Sequence, residues 1–206
     1  LVGESANTVT GYTLIAGTNA DNYFITTVPG KLTVTAANIA ITVTAGSATK
    51  EYDGDPLTKD SFAVTSGALA EGDYIEATVV GTITDAGSAD NTVTNIVVYH
   101  GTGADKTDVS ENYAITPATG TLTVTAVPIT VTAKSDEKVY DGTALTNDGY
   151  DVTGTFVGDD GFDTVTVSGS QTLVGESANT VTGYTLIAGT NANNYFITTV
   201  PGKLTV

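Results

Sequence analysis

Internal repetition constrains this chain more than any other feature of its sequence. Residues 1–34 recur as residues 173–206, at an offset of 172 residues, and the only difference is that Asp21 becomes Asn193. Self-similarity over such a distance is typical of proteins built from tandem structural units. A spacer gains length with every copied unit, whereas a catalytic domain gains little from being copied head to tail. The repeat therefore favours a structural role.

Two short motifs mark the repeat unit. The closing motif, Asn-Tyr-x-Ile-Thr followed by Gly-x-Leu-Thr-Val, occurs three times and begins with Asn22-Tyr23, Asn112-Tyr113 and Asn194-Tyr195. The second motif occurs twice, as Tyr52-Asp53-Gly54 and Tyr140-Asp141-Gly142. The spacings of 90, 82 and 88 residues correspond to one small domain. They predict three parts: residues 1–36 as the C-terminal half of a preceding module, and residues 37–126 and 127–206 as complete modules.

Hydropathy alternates with a period of two residues along most of the chain. Ile39–Val43, Val127–Val131 and Val165–Val167 place Val and Ile between threonines. Such alternation, separated by clusters of Gly, Asn, Asp and Ser, is typical of half-buried strands joined by turns. The sequence therefore predicts an all-β fold. We expect tandem Ig-like β-sandwich modules in an elongated rod, with β-grasp-like modules as the alternative that periodicity leaves open.

The apolar positions change parity at each predicted module boundary. Leu32 and Val34 occupy even positions, whereas Ile39, Ile41 and Val43 occupy odd ones, and the same change occurs around residues 126–128. Because a shift of one residue moves a strand's apolar set to the opposite face, we place the boundaries here, with almost no linker. Residues 32–43 are expected to be extended throughout. A glycine next to the second boundary, Gly120, is expected to hold a positive φ.

Charge and composition exclude several classes of partner. The chain carries 23 acidic residues against seven lysines, a formal net charge of −16. Nucleic acids and anionic membrane surfaces both require basic side chains, so neither is expected as a partner. No apolar run is long enough for membrane insertion in this segment. The chain has no cysteine, methionine or tryptophan, a composition that suits an extracellular, cell-surface location.

The second motif, with its neighbours, resembles a known family. Two segments resemble the YDG/MBG-type tandem repeat domains of bacterial surface proteins, and so does the closing motif. The segments are residues 50–58, Lys-Glu-Tyr-Asp-Gly-Asp-Pro-Leu-Thr, and residues 138–146, Lys-Val-Tyr-Asp-Gly-Thr-Ala-Leu-Thr. The resemblance covers almost the whole chain. It implies extracellular β-modules strung in arrays, as in adhesins, and says nothing about a ligand.

Candidate sites are few, and most have a structural interpretation. We interpret Tyr-Asp-Gly as a turn whose tyrosine packs its ring and bonds its hydroxyl, and Asn-Tyr as a motif with the same role at a strand entry. Tyr74, Tyr99 and His100 are the candidates for a binding surface, since His100 lies in a loop longer than its counterpart. Acidic clusters at residues 85–90 and 159–163 are candidates for calcium. No other cofactor and no enzymatic activity are expected.

Two functions remain open on these grounds. The first is a stalk or fibre segment that extends a distal head from the cell, with neighbouring modules or other copies of the protein as partners in a filament. The alternative is an adhesin repeat module that binds a glycan or an extracellular host protein through its loops.

Overall fold

The protein is all-β, as the alternation predicts. A computed structural model describes residues 2–206, of which 52% lie in strands and none in a helix of seven or more residues. The structure divides into two compact units. The first unit contains residues 2–44, 63–78 and 93–118, and the second contains residues 45–62, 79–92 and 119–206. This division cuts the predicted middle module, so the module boundaries stay a prediction.

Seventeen strands follow one another along the described residues. They are β1 (Gly3–Asn7), β2 (Gly30–Val34), β3 (Ile39–Ala45), β4 (Ala48–Glu51), β5 (Phe62–Ser66), β6 (Asp73–Val80), β7 (Gly87–His100), β8 (Thr107–Asp108), β9 (Tyr113–Ala118), β10 (Gly120–Thr125), β11 (Val127–Ala133), β12 (Asp136–Glu137), β13 (Tyr150–Thr153), β14 (Phe162–Ser168), β15 (Glu176–Leu186), β16 (Tyr195–Val200) and β17 (Gly202–Thr205). Short 3₁₀ turns lie at Ala20–Asn22, Gly103–Asp105, Ser110–Asn112 and Ala192–Asn194.

In the first unit, β3 lies at the centre of a three-stranded sheet in the order β5-β3-β9. It pairs in parallel with β9, from Ile39 opposite Tyr113 to Thr44 opposite Ala118. Its apolar side chains, such as Ile41, are buried. Strands β1 and β2 form a separate antiparallel pair whose residues are all exposed.

In the second unit, the first two strands of residues 127–206 pair in parallel with the last two. Strand β11 pairs with β16, from Val127 opposite Tyr195 to Thr132 opposite Val200, and β12 pairs with β17 at Asp136 opposite Leu204. The partner lies 68 residues ahead in both pairs, so the register does not change between them. The sheet orders are β13-β11-β16 and β12-β17-β15-β14, and strands of the preceding residues add the order β4-β10-β7.

The change of apolar parity at the second boundary is confirmed. Leu122 and Val124 are buried in β10, Val127 and Ile129 are buried in β11, and only Ala126 separates the two strands. Because side chains alternate between faces along a strand, this one-residue change moves the buried set to the other face. Strand β11 thus follows β10 after a single residue.

Two local predictions are wrong. Residues 35–38 lie in no strand and Asn38 has φ +51°, so the expected extended run from residue 32 to residue 43 is interrupted. Gly120 does not have a positive φ. It is glycine for a different reason, since a Cβ there would overlap the carbonyl oxygens of Ala45 and Gly46.

Candidate functional site

The tyrosine of the third closing motif holds a loop of its own module. Tyr195 is 6% exposed, and its hydroxyl accepts a hydrogen bond from the backbone N–H of Val157 at 3.1 Å. The same hydroxyl donates to Asp160 Oδ2 at 2.6 Å. Burial, together with this carboxylate, raises the pKa of Tyr195 to about 12. The neutral phenol is therefore the form that stabilises this loop.

The preceding asparagine instead contacts residues from the region before residue 127. Asn194 is 1% exposed and uses both atoms of its side-chain amide. Its Nδ2 donates to Asp85 Oδ1 at 2.9 Å, and its Oδ1 accepts from the backbone N–H of Ala86 at 2.7 Å. A buried amide with both ends bonded fixes the orientation of the groups it joins. The Asn-Tyr pair therefore connects two predicted modules.

The tyrosine of the first Tyr-Asp-Gly motif lies at the same junction. The ring of Tyr52 meets the ring of Tyr195 edge to face, with centroids 5.9 Å apart at an interplanar angle of 84°. Tyr52 also packs against the buried cluster that contains Val127 and Ile129. A Cβ on Gly54 would come within 3.2 Å of Val157 Cγ1. We call this set of contacts around Asn194 and Tyr52 the joint.

The Asp-Gly pair of each motif forms a turn that a lysine stabilises. Asp141 Oδ1 accepts from the backbone N–H of Thr143 at 2.9 Å and from Lys138 Nζ at 2.8 Å. The hydrogen bond from Lys138 lowers the pKa of Asp141 most, and the bonds from Thr143 lower it further. Gly142 has φ +80°, which glycine adopts without steric strain.

The first Tyr-Asp-Gly motif repeats this geometry. Asp53 accepts from the N–H of Asp55 and pairs with Lys50, whose hydrogen bond lowers the pKa of Asp53. Gly54 has φ +86°.

The earlier copies of the closing motif have other surroundings. Tyr113 is 7% exposed, accepts from the N–H of Ala70 at 2.9 Å and donates to Asp73 at 2.5 Å, much as Tyr195 does. Burial, and then the bond to Asp73, raises its pKa. Asn112 is half-buried and lines a shallow cavity together with Val2.

The N-terminal copy, Asn22-Tyr23, is exposed, and Tyr23 is 62% exposed. The second Tyr-Asp-Gly motif likewise has an exposed ring, with Tyr140 at 53%. Of the three Asn-Tyr pairs, the structure thus fully buries only Asn194-Tyr195 among the described residues. Of the two Tyr-Asp-Gly tyrosines, Tyr52 packs its ring against Tyr195, whereas the ring of Tyr140 is exposed.

Two buried asparagines are part of this architecture and escaped the sequence reasoning. Asn91 and Asn179 are 1% and 0% exposed, and each Nδ2 donates to two backbone carbonyl oxygens, which for Asn179 are those of Lys134 and Asn147. Their Oδ1 atoms have no partner. The signal was the repeated sequence Asn-Thr-Val-Thr, which begins at both residues.

The predicted binding residues do lie together in the first unit. The rings of Tyr74 and Tyr99 are 5.8 Å apart, and Lys106 Nζ lies 4.1 Å from the centroid of the Tyr99 ring. Lys106 also pairs with Glu76, whose carboxylate raises the pKa of the lysine. His100 forms a hydrogen bond with Asp73, in which His100 Nδ1 lies 2.6 Å from Asp73 Oδ1.

The acidic clusters proposed for calcium have protein partners. Asp85 accepts from Asn194, Asp160 from Tyr195, and Asp163 from Thr185 at 3.3 Å. Among residues 2–206, no three His, Cys, Asp or Glu side chains come together in a way that could hold a metal ion. In the same part of the chain, no helix has the length and apolarity that a membrane crossing requires.

Comparison with known families places a YDG-type domain at the C-terminal part of the chain. Residues 125–202 match the family model described as the YDG domain. This range contains the second Tyr-Asp-Gly motif and the Asn194-Tyr195 pair, and it agrees with the resemblance that the motifs carry. Neither the curated proteins nor the solved structures contain a match to the chain.

Proposed function

We propose that this chain is a structural stalk or fibre segment of a bacterial cell-surface or extracellular repeat protein, and that it extends a distal head from the cell. The observation that carries the proposal is that the first two strands of residues 127–206 pair in parallel with the last two. Strand β11 lies beside β16 and β12 beside β17, with one register throughout.

This pairing suits a domain that is pulled from its ends. Because the first and last strands run in the same direction, the chain enters the domain at one end of the pair and leaves at the other. Tension between the two termini then shears the strand pair along its length, and its evenly spaced, slanted hydrogen bonds share the load. In an antiparallel hairpin pulled at its open end, the bonds would break one after another.

The joint supports the same function. Asn194 bonds Asp85 and Ala86, and Tyr52 packs on Tyr195, while only Ala126 separates β10 from β11. A Gly/Ser linker at this position would behave as a flexible coil. A joint fixed by buried contacts limits bending between successive modules, which is what a stalk requires.

The finer architecture belongs to this proposal as well. We propose Ig-like sandwich modules in a rod, because the first two and the last two strands of residues 127–206 are divided between two sheets: β11 and β16 lie in one, and β12 and β17 lie in the other. The net charge of −16 would keep neighbouring stalks apart. Composition and the family resemblance support an extracellular, cell-surface location.

Single-molecule pulling tests the load-bearing claim. The chain has no cysteine, so attachment cysteines can be introduced in pairs at chosen positions. Handles at Ala126 and Val206 load the parallel pairs β11–β16 and β12–β17 in shear. Handles at Phe162 and Leu186, which face each other in the antiparallel β14–β15 pair, load that pair by unzipping. We expect a several-fold higher unfolding force in the first geometry, and equal forces would refute the proposal.

The second candidate is an adhesin module that binds a glycan or an extracellular protein. The cluster of Tyr74, Tyr99 and Lys106 favours it, because two adjacent tyrosine rings with a cation and a carboxylate offer both stacking and polar contacts. A glycan and matrix-protein array probed with the chain and with its Y74A/Y99A variant tests this function. Binding that the double substitution abolishes would support it, and no binding to any probe would count against it.

A further inference from the structure

The chain contains one 34-residue sequence in two different environments. Residues 173–206 pack against residues 127–172, whereas residues 2–34, with the same sequence except at Asp21, form an exposed antiparallel pair and loops. Leu204 is 0% exposed and its counterpart Leu32 is 53% exposed. Tyr195 is 6% exposed and its counterpart Tyr23 is 62% exposed.

The polar contacts differ in the same way. Asn179 donates to the carbonyl oxygens of Lys134 and Asn147 and is fully buried, while its counterpart Asn7 is exposed. The ion pair within each copy does not differ, since Glu4 pairs with Lys31 as Glu176 pairs with Lys203. The antiparallel pair of β1 with β2 thus has the same register as that of β15 with β17. Residues 23–28, the counterpart of β16, lie in no strand, and what residues 2–34 lack is the segment that buries the other side.

We infer that residues 2–34 are a docking surface for a polypeptide segment of the same kind as residues 127–172, additional to the one this chain already uses. The occupant would add a strand equivalent to β12 beside β2, and its strand equivalent to β11 would pair with residues 23–28. Exposed apolar side chains at Val9, Tyr23 and Leu32 would become buried. A face of this kind, next to an unpaired strand edge, is a site for strand addition.

A second copy of the whole chain is a poor occupant. Its residues 127–172 already lie on its own residues 173–206, and the two receiving sequences differ only at Asp21 and Asn193, which are both exposed. An exchange between copies would therefore uncover as much surface as it covers. This inference rests on the duplicated sequence and its burial, and it does not depend on the mechanical role proposed above.

The test uses the full chain and a synthetic peptide with the sequence of residues 127–172, read out by amide hydrogen exchange of residues 2–34. We expect the peptide to slow exchange in β2 by roughly 100-fold, toward the protection of β17. The variant Leu32→Asp is the control, since it places a charge in the new interface and leaves residues 37–206 unchanged. Equal protection in this variant would overturn the inference.

A second arm guards against a peptide that does not remain in solution. The peptide sequence is fused directly before Leu1, which reproduces the natural junction of Thr172 with Leu173. Protection of β2 in this fusion supports the docking surface, and exchange as fast as in the unfused chain, in both arms, overturns it. Protection that rises with the concentration of the chain alone, without peptide, would also overturn it, because a second copy would then be the occupant.

Discussion

The duplicated sequence allows one substitution to be compared with itself in two environments. Leu204 is fully buried in β17, between β12 and β15, whereas Leu32 is half-exposed in β2. Replacing Leu204 by Ala removes a buried isobutyl group and leaves a cavity, which typically lowers the free energy of unfolding by 2–5 kcal/mol, here about 3. Leu32→Ala removes the same atoms from a surface already open to water, and is expected to cost less than about 1 kcal/mol.

Urea denaturation followed by amide exchange measures each effect, with probes in β15 and β17 for Leu204→Ala and in β1 and β2 for Leu32→Ala. With an m value of about 2 kcal/mol per M, a loss of about 3 kcal/mol lowers the midpoint by about 1.5 M. A probe within these strands is needed because the chain has two compact units, and a global signal would mix them. Equal shifts for the two variants, or no shift for Leu204→Ala, would refute the assignment of Leu204 to a packed core.

Three further predictions concern Asn194, Tyr195 and Gly202, and the first is measured by local amide exchange. Asn194→Ala should lower the free energy of unfolding by about 1–3 kcal/mol, because it leaves buried partners unpaired, while Asn22→Ala, at an exposed position, should change it by less than about 0.5. The raised pKa of Tyr195 favours the neutral phenol in the folded state, so its contribution is complete below the unfolded pKa of about 10 and is lost as the pH rises through about 12. Because the chain has ten tyrosines, the signal of Tyr195 is the difference in tyrosinate absorbance between the chain and its Tyr195→Phe variant. This difference should rise together with loss of structure during an alkaline titration, and a difference that rises near pH 10 in a folded chain would contradict this. Gly202→Ala should destabilise the second unit, since a Cβ there overlaps backbone carbonyl groups, whereas Gly30→Ala meets only ordinary contacts at 3.7 Å, and equal melting temperatures would contradict this.

Much of the fold could be predicted because it follows from side-chain alternation. The all-β class and the parity change around Ala126 depend on which face each residue occupies, and hydropathy reports that directly. The direction of strand pairing could not be predicted in this way. Val127 and Tyr195 pair in parallel across 68 residues, and a period of two is the same for parallel and antiparallel strands.

The joint was only partly visible in the sequence. The motifs identified Asn194 and Tyr52 as repeated residues, but their contacts cross the boundary between predicted modules, and local turn chemistry says nothing about such contacts. Asn91 and Asn179 were missed because an asparagine followed by threonine suggests a solvent-facing position. Their burial depends on carbonyl oxygens that lie far away in the sequence.

X-ray scattering of chains of increasing length tests the stalk most directly. Because residues 1–34 and 173–206 match, residues 35–206 can be appended after Val206 without changing the repeat, which adds one 172-residue unit at a time. If the joints are rigid and the modules are arranged in a rod, the maximum dimension should grow by the same increment with each unit. In a compact globule, the dimensions grow only as about the 0.38 power of chain length. Growth of the maximum dimension with that power would contradict a rod-like stalk.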